Sequence, residues 1–292
     1  MRWPPPEDWP HRALSRQILS RPHRWHVQQA GRGPTLILLH GAGASAHSFA
    51  GLLPLLAQTH HAVAVDLPGQ GFTQLGARHR CGLAEMAQDL AALIAQEGWQ
   101  PAALIGHSAG GALALRLASR LDPMPAVIGI NPALGPFPGL AGLLFPAMAK
   151  LLSLTPGVAG AVARHAATPA RVRALIQSTG STLSEAALAP YCRLMADPAH
   201  VDATLLMMAQ WELAPLLHDL PRLGCATLLL AGEADSAVPP HVADAAARRM
   251  PQARAERLAG LGHLAHEEDP ARILQSITGF LATQPAMARA PD

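Results

Sequence analysis

The sequence predicts an α/β protein: a mostly parallel, doubly wound sheet with a helical cap inserted before the acid-bearing strand. Three observations carry this expectation. Apolar runs of four or five residues stop abruptly at Gly- or Pro-rich turns, as strands buried on both faces do. Helical patterns lie between these runs, and strands alternating with helices favour parallel pairing. From about residue 132 to 220 the strand signals vanish and the chain becomes helix-like, broken by Pro and Gly.

Taken in order, the first strand is Thr35–Leu39, ending in His40-Gly-Ala-Gly43, and the second is His61–Val65, ending in Asp66-Leu-Pro-Gly-Gln-Gly71. A helix follows over Leu83–Ala95. A third strand, Ala102–Ile105, runs into Gly106-His-Ser-Ala-Gly110 and a helix over Ala109–Leu121. The fourth strand, Ala226–Leu230, precedes Ala231-Gly-Glu-Ala-Asp235. The expected division is therefore a core of residues 1–131 and 221–292 and a cap of residues 132–220, folded over the carboxyl ends of the strands where α/β ligands bind. The tail after Ala282 reads as loose.

Composition narrows the function. Half of the 292 residues are hydrophobic, 14% are charged and the formal net charge is +2, so a large core is available and the electrostatic footprint of nucleic-acid binding is missing. Cys81, Cys192 and Cys225 are odd in number and widely spaced, as free thiols in a reducing compartment are. The proline-rich start has no apolar segment of a signal peptide, and a cytoplasmic location is expected. Ala133 to Ala163 is the most membrane-like stretch, yet Pro136, Pro138, Pro146 and Pro156 interrupt it. Its cluster of Phe137, Leu140, Leu143, Leu144 and Phe145 suits packing onto the core better than contact with a membrane surface. Met148, Met195, Met207 and Met208 suit an adaptable apolar pocket.

The chemistry centres on Ser108. In Gly106-x-Ser108-x-Gly110 the nucleophile sits at a sharp strand-to-helix turn, which needs side-chain-free neighbours two residues away. The hydroxyl then stands clear of the sheet, and the helix N-terminus faces a developing oxyanion. The Ala42 and Ala109 N–H groups are the expected oxyanion donors. A serine hydroxyl needs a base, and the base needs an acid to fix its tautomer. Asp235, at a strand end, is the expected acid, with Glu233 as competitor. His263, in Gly262-His263-Leu-Ala-His266, is the expected base, with His266 as alternative. His263-x-x-His266 lacks both a metalloprotease pattern and a third ligand, so neither metal nor cofactor is called for.

These motifs, His40-Gly41, Asp66-Leu-Pro-Gly-Gln-Gly71, Gly106-His-Ser-Ala-Gly110, Gly232-Glu-Ala-Asp235 and Gly262-His263, together resemble the α/β-hydrolase family over about residues 20–282. They are specific for that fold and unspecific for substrate. A narrower resemblance joins Met1-Arg-Trp-Pro-Pro-Pro, Arg24-Trp-His-Val, Asn131-Pro-Ala-Leu-Gly-Pro-Phe-Pro-Gly-Leu-Ala-Gly142 and Gly180-Ser-Thr-Leu183. These look like the magnesium-chelatase accessory proteins of bacteriochlorophyll synthesis. The triad reading implies a serine ester hydrolase acting on an apolar, uncharged acyl substrate. The narrower resemblance implies an auxiliary protein that binds a porphyrin or docks on magnesium chelatase.

Overall fold

The computed structural model describes residues 1–135, 155 and 157–284. Eight strands form one sheet: β1 Ser15–Ser20, β2 His23–Ala30, β3 Thr35–Leu39, β4 His61–Val65, β5 Pro101–His107, β6 Ala126–Ile130, β7 Thr227–Gly232 and β8 Ala253–Leu258. Their order is β1-β2-β4-β3-β5-β6-β7-β8. The β1–β2 and β2–β4 pairs are antiparallel, and from β4 to β8 every pair is parallel.

The described helices are α1 Leu53–Leu56, α2 Leu83–Gln96, α3 Ala109–Ala118, α4 Val158–Ala166, α5 Pro169–Ser178, α6 Glu185–Ala196, α7 Pro198–Gln210, α8 Ala214–Asp219, α9 His241–Ala247, α10 Ala265–Glu268 and α11 Pro270–Leu281. Alternate residues of one strand feed opposite faces. Leu36 and Leu38 of β3 join Phe49, Ile273 and Ile277, whereas Ile37 and Leu39 join Met86, Leu90 and Leu113. Burial on both faces is why β3 and β4 are apolar without alternation.

Helices α4 to α8 lie between β6 and β7 in the chain. Val172, Ile176, Leu188 and Tyr191 from this insertion pack with Ala44 and Leu264 of the sheet-bearing body in a cluster of their own. The apolar residues Phe137 to Phe145 and Met148 lie outside the described residues. Among the described residues no helix is long and apolar enough to cross a membrane.

Four strands exceed the sequence expectation, each for a physical reason. β1 and β8 are sheet edges with charged or polar exposed positions, which blunts an edge and dilutes the apolar signal. β2 buries His23, His26 and Gln28. Their polar atoms find Asp89, Asp66 and the Pro10 carbonyl, so its burial does not register as hydrophobicity. β6 is short and contains Gly129, which weakens a strand pattern.

Candidate active site

Between the last residue of β5 and the first of α3, Ser108 has φ 52° and ψ −118°. A non-glycine residue rarely adopts that half of φ/ψ space. The chain reverses so tightly there that a Cβ on Gly106 would lie 2.1 Å from the Gly110 carbonyl oxygen, and one on Gly110 2.1 Å from that of Leu39. Those two contacts explain the glycine spacing. The Ser108 N–H donates to the Ile130 carbonyl, and its own carbonyl accepts from Gly111 and Ala133, each at 3.0 Å. With the backbone thus engaged, the side chain itself is half-buried.

Asp235 follows β7 and is buried. Its Oδ2 accepts from His263 Nδ1 at 2.8 Å and from Asn131 Nδ2 at 2.6 Å. Its Oδ1 accepts from the Ala237 and Val238 N–H groups, both at 2.8 Å. Four donors suit an acceptor-only carboxylate. With the Nδ1 proton committed to Asp235, Nε2 is the His263 nitrogen left to accept a proton. The His263 carbonyl accepts from His107 Nε2 at 2.9 Å, and the two rings lie 4.8 Å apart. The neighbour of Ser108 thus ties the His263 loop to the elbow. No hydrogen bond joins the Ser108 hydroxyl to His263 among the described residues; such contacts often tighten only around substrate.

Glu233 is exposed and is not among the hydrogen-bond partners of Asp235 or His263. His266 is fully buried, its ring packed at a tilt against Phe49 and His107, and neither ring nitrogen has a hydrogen-bond partner. Burial lowers its pKa to about 3, so it packs as a neutral ring beneath the site.

The loop after β3 runs beside the elbow, since a Cβ on Gly41 would lie 3.1 Å from that of Ser108. His40 is buried; its Nδ1 donates to the Gly41 carbonyl at 2.7 Å and its Nε2 accepts from the Leu67 N–H at 2.9 Å. The Gly41 carbonyl and the Ala42 N–H share one peptide plane, so His40 sets the direction of that N–H. Ala109 is the first residue of α3, where an N–H has no carbonyl of its own helix to meet. Neither the Ala42 nor the Ala109 N–H has an acceptor among the described residues.

A family model described as the alpha/beta hydrolase fold matches residues 34–270. The chain belongs to this α/β-hydrolase family. The hydrolase is 47% identical over 265 residues to the magnesium-chelatase 30 kDa subunit of Rhodobacter capsulatus, covering 90% of this chain and 92% of that one. It is 28% identical over 273 residues to the pimeloyl-[acyl-carrier protein] methyl ester esterase of Xanthomonas axonopodis pv. citri (strain 306), covering 89% and 100%. The solved structure of the epoxide hydrolase CorEH superposes on it with a TM-score of 0.77 at 19% identity, over 92% of this chain and 98% of that one. At that identity the likeness is one of fold.

Sequence reasoning about this hydrolase missed Asn131 and the polar layer under the loops. Asn131 stands at φ 47° directly after β6, at the carboxyl end of a central strand, and that position is the signal that could have found it. Asp66 is also buried. It accepts from His26 Nδ1 at 2.6 Å, the Ala46 N–H at 2.6 Å and the Phe72 N–H at 2.7 Å. Burial alone would raise its pKa, but His26, His40 and the backbone donors outweigh that and hold the carboxyl below its ordinary range. A Cβ on Gly71 would overlap its Oδ2, so the acidic-glycine turn after β4 is structural. Where the inserted helices meet the sheet-bearing body, the Tyr191 hydroxyl donates to Glu267 Oε1 at 2.5 Å. Burial, with Glu268 adding to it, pushes Glu267 up to about 8 against the opposing pull of that hydrogen bond.

Proposed function

We propose that this α/β-hydrolase is a serine ester hydrolase working through an acyl-enzyme. Ser108 Oγ attacks the acyl carbonyl while His263 Nε2 takes its proton. The Asp235 carboxylate holds the imidazole in the required tautomer and stabilises the imidazolium that forms. The Ala42 and Ala109 N–H groups receive the oxyanion. His263 returns the proton to the departing alcohol, and water attacks the acyl-enzyme by the same steps in reverse roles. Residues 132–220 serve as the cap over an apolar, uncharged acyl group. The observation that carries this reading is the 2.8 Å bond from His263 Nδ1 to Asp235, in a loop tied to the Ser108 elbow through His107. The test is hydrolysis of p-nitrophenyl esters of graded acyl length. Activity that is lost in Ser108→Ala supports the reading; no activity on any ester, or undiminished activity in the variant, overturns it.

A second reading is favoured by the 47% identity to the chelatase-named protein over nearly the whole of both chains. In it the protein assists magnesium-tetrapyrrole synthesis by holding a porphyrin or docking on the chelatase. Spectroscopic titration with protoporphyrin and the chelatase rate with and without the protein test it. No binding together with an unchanged rate removes it. The two readings are compatible, because a pathway auxiliary can retain esterase chemistry.

A further inference from the structure

Helix α7 presents His200, Ala203, Thr204 and Met207 at i, i+3, i+4 and i+7, a single stripe. Asp197 caps the helix start by accepting from the Ala199 and His200 N–H groups at 2.9 and 3.0 Å. The stripe lies on the two glycine turns that follow β3 and β4. A Cβ on Gly69, which has φ +75°, would come within 2.4 Å of the Ala203 methyl, and one on Gly43, at φ +77°, within 3.5 Å of the Thr204 methyl. Side-chain-free backbone at Gly69 is what lets α7 approach this closely.

At that contact His200 is buried and makes two bonds of opposite sense. Its Nδ1 accepts from the Gly71 N–H at 3.0 Å, so its Nε2 carries the proton and donates to the Gly43 carbonyl at 3.1 Å. Burial lowers its pKa to about 4, which keeps that tautomer in place near neutral pH. Gln70 completes the hold: its Oε1 accepts from the Gly43 N–H at 2.8 Å while its Nε2 donates to Met207 Sδ at 3.1 Å. Each polar atom of Gly43 is thereby tied to α7, directly or through Gln70. The Ala42–Gly43 peptide is held at one end by Gln70, and the Gly41–Ala42 peptide by His40. The Ala42 N–H between these two held peptides has no acceptor among the described residues.

We propose that His200, on an inserted helix, is a positioning residue for the Ala42 oxyanion donor, so that the insertion holds the catalytic loop in register as well as covering the site. The inference rests on the acyl-enzyme reading above. Its consequence is that the oxyanion hole is complete only with α7 seated on the Gly43 and Gly71 turns. A residue that merely packs the insertion would affect stability or substrate binding, whereas one that aims an oxyanion donor acts on the transition state.

The experiment compares the parent, His200→Ala, His200→Gln, Gln70→Leu and Ser108→Ala in steady-state hydrolysis of a short-chain p-nitrophenyl ester. It also measures inhibition by an aryl trifluoromethyl ketone, which forms a tetrahedral adduct with a serine hydroxyl. Removing an oxyanion donor outright costs ~10²–10³ in kcat, so misaiming one should lower kcat by about 10- to 100-fold in His200→Ala and Gln70→Leu, with KM within about threefold of the parent. The ketone inhibition constant should rise by the same factor. His200→Gln, which retains both a donor and an acceptor, should recover most of the loss. A His200→Ala enzyme with kcat within about twofold of the parent, a kcat loss with unchanged ketone affinity, or a His200→Gln enzyme no better than His200→Ala overturns the proposal and leaves the acyl-enzyme reading standing. Undiminished hydrolysis in Ser108→Ala overturns both. If His200→Ala does not fold, the same criteria applied to Gln70→Leu decide.

Discussion

Asn131 Nδ2 stands 2.6 Å from Asp235 Oδ2, the same carboxylate oxygen that receives His263 Nδ1. The two residues cap adjacent parallel strands, β6 and β7, whose pairing runs to Ile130 and Leu230. A hydrogen bond to a charged group contributes about 1.5–3 kcal/mol, and here it fixes the carboxylate that orients the imidazole. Asn131→Ala is therefore expected to lower kcat on a Ser108-dependent ester by about tenfold or more, since 1.4 kcal/mol is a factor of about ten. Steady-state kinetics check this, and a variant with unchanged kcat would show that the backbone donors from Ala237 and Val238 suffice.

On the acyl-enzyme reading, Asp235→Asn is close in shape to the parent residue but removes the charge proposed to hold the His263 tautomer and stabilise the imidazolium. The expected loss in kcat is about 10⁴-fold. Glu233→Gln, an exposed position beside it, should retain parent activity. Running both variants in one assay separates the two carboxylates of Gly232-Glu-Ala-Asp235.

Two glycines with opposite surroundings should respond oppositely to alanine. A Cβ on Gly110 would lie 2.1 Å from the Leu39 carbonyl oxygen, so Gly110→Ala must push α3 off β3 and is expected to give a strongly destabilised and inactive protein. A Cβ on Gly279, within α11, meets nothing within 4 Å. Gly279→Ala should raise stability by about 0.5–1 kcal/mol through helix propensity. Urea unfolding midpoints of the two variants test the pair.

Acid should unfold this protein through its histidines. Burial lowers His47 and His266 to about 3 and His200 to about 4, while an unfolded histidine titrates near about 6.5. Below that value the unfolded chain binds more protons, so stability is present above about pH 6.5 and is lost as pH falls toward the folded values. His266 makes no hydrogen bond. His266→Leu should therefore keep stability near neutral pH and show a shallower loss on acidification, read as the urea midpoint between about pH 7 and pH 4.

Glu267 works in the other direction. Burial raises its pKa from 4.5 to about 8, so the folded state retains a proton that the unfolded chain has lost. Its contribution is fully present below about pH 4.5 and is lost as pH rises through about 8. Glu267→Gln should remove that alkaline decline in the urea midpoint. An identical pH slope in parent and variant would assign the decline elsewhere.

Much of the sheet was legible in the sequence for a local reason. Leu36 to Leu39 and Ala62 to Val65 are apolar at every position because both faces of the sheet are covered, and that requirement is written in consecutive residues. The Ser108 elbow was legible for the same kind of reason: Gly106 and Gly110 avoid clashes within one turn and with the strand beside it. Asp235 and His263 could be named because each follows a glycine-marked turn in the chain order of this fold. Edge strands β1 and β8, and β2 with its buried histidines, escaped because their burial is one-sided or is satisfied by polar partners.

The sequence by itself determined the α/β class and the family, and it named the acid and the histidine, Asp235 and His263, that the structure joins by a hydrogen bond. Tertiary structure alone decided what supports them. Asn131 reaches an oxygen 104 residues away in the chain, and His200 reaches Gly43 across 157. Hydrogen bonds of that span leave no periodicity in the chain, since nothing about a lone Asn or His records which distant backbone it will meet. They come into being only when the parallel strands bring their carboxyl ends to one rim and α7 seats against it.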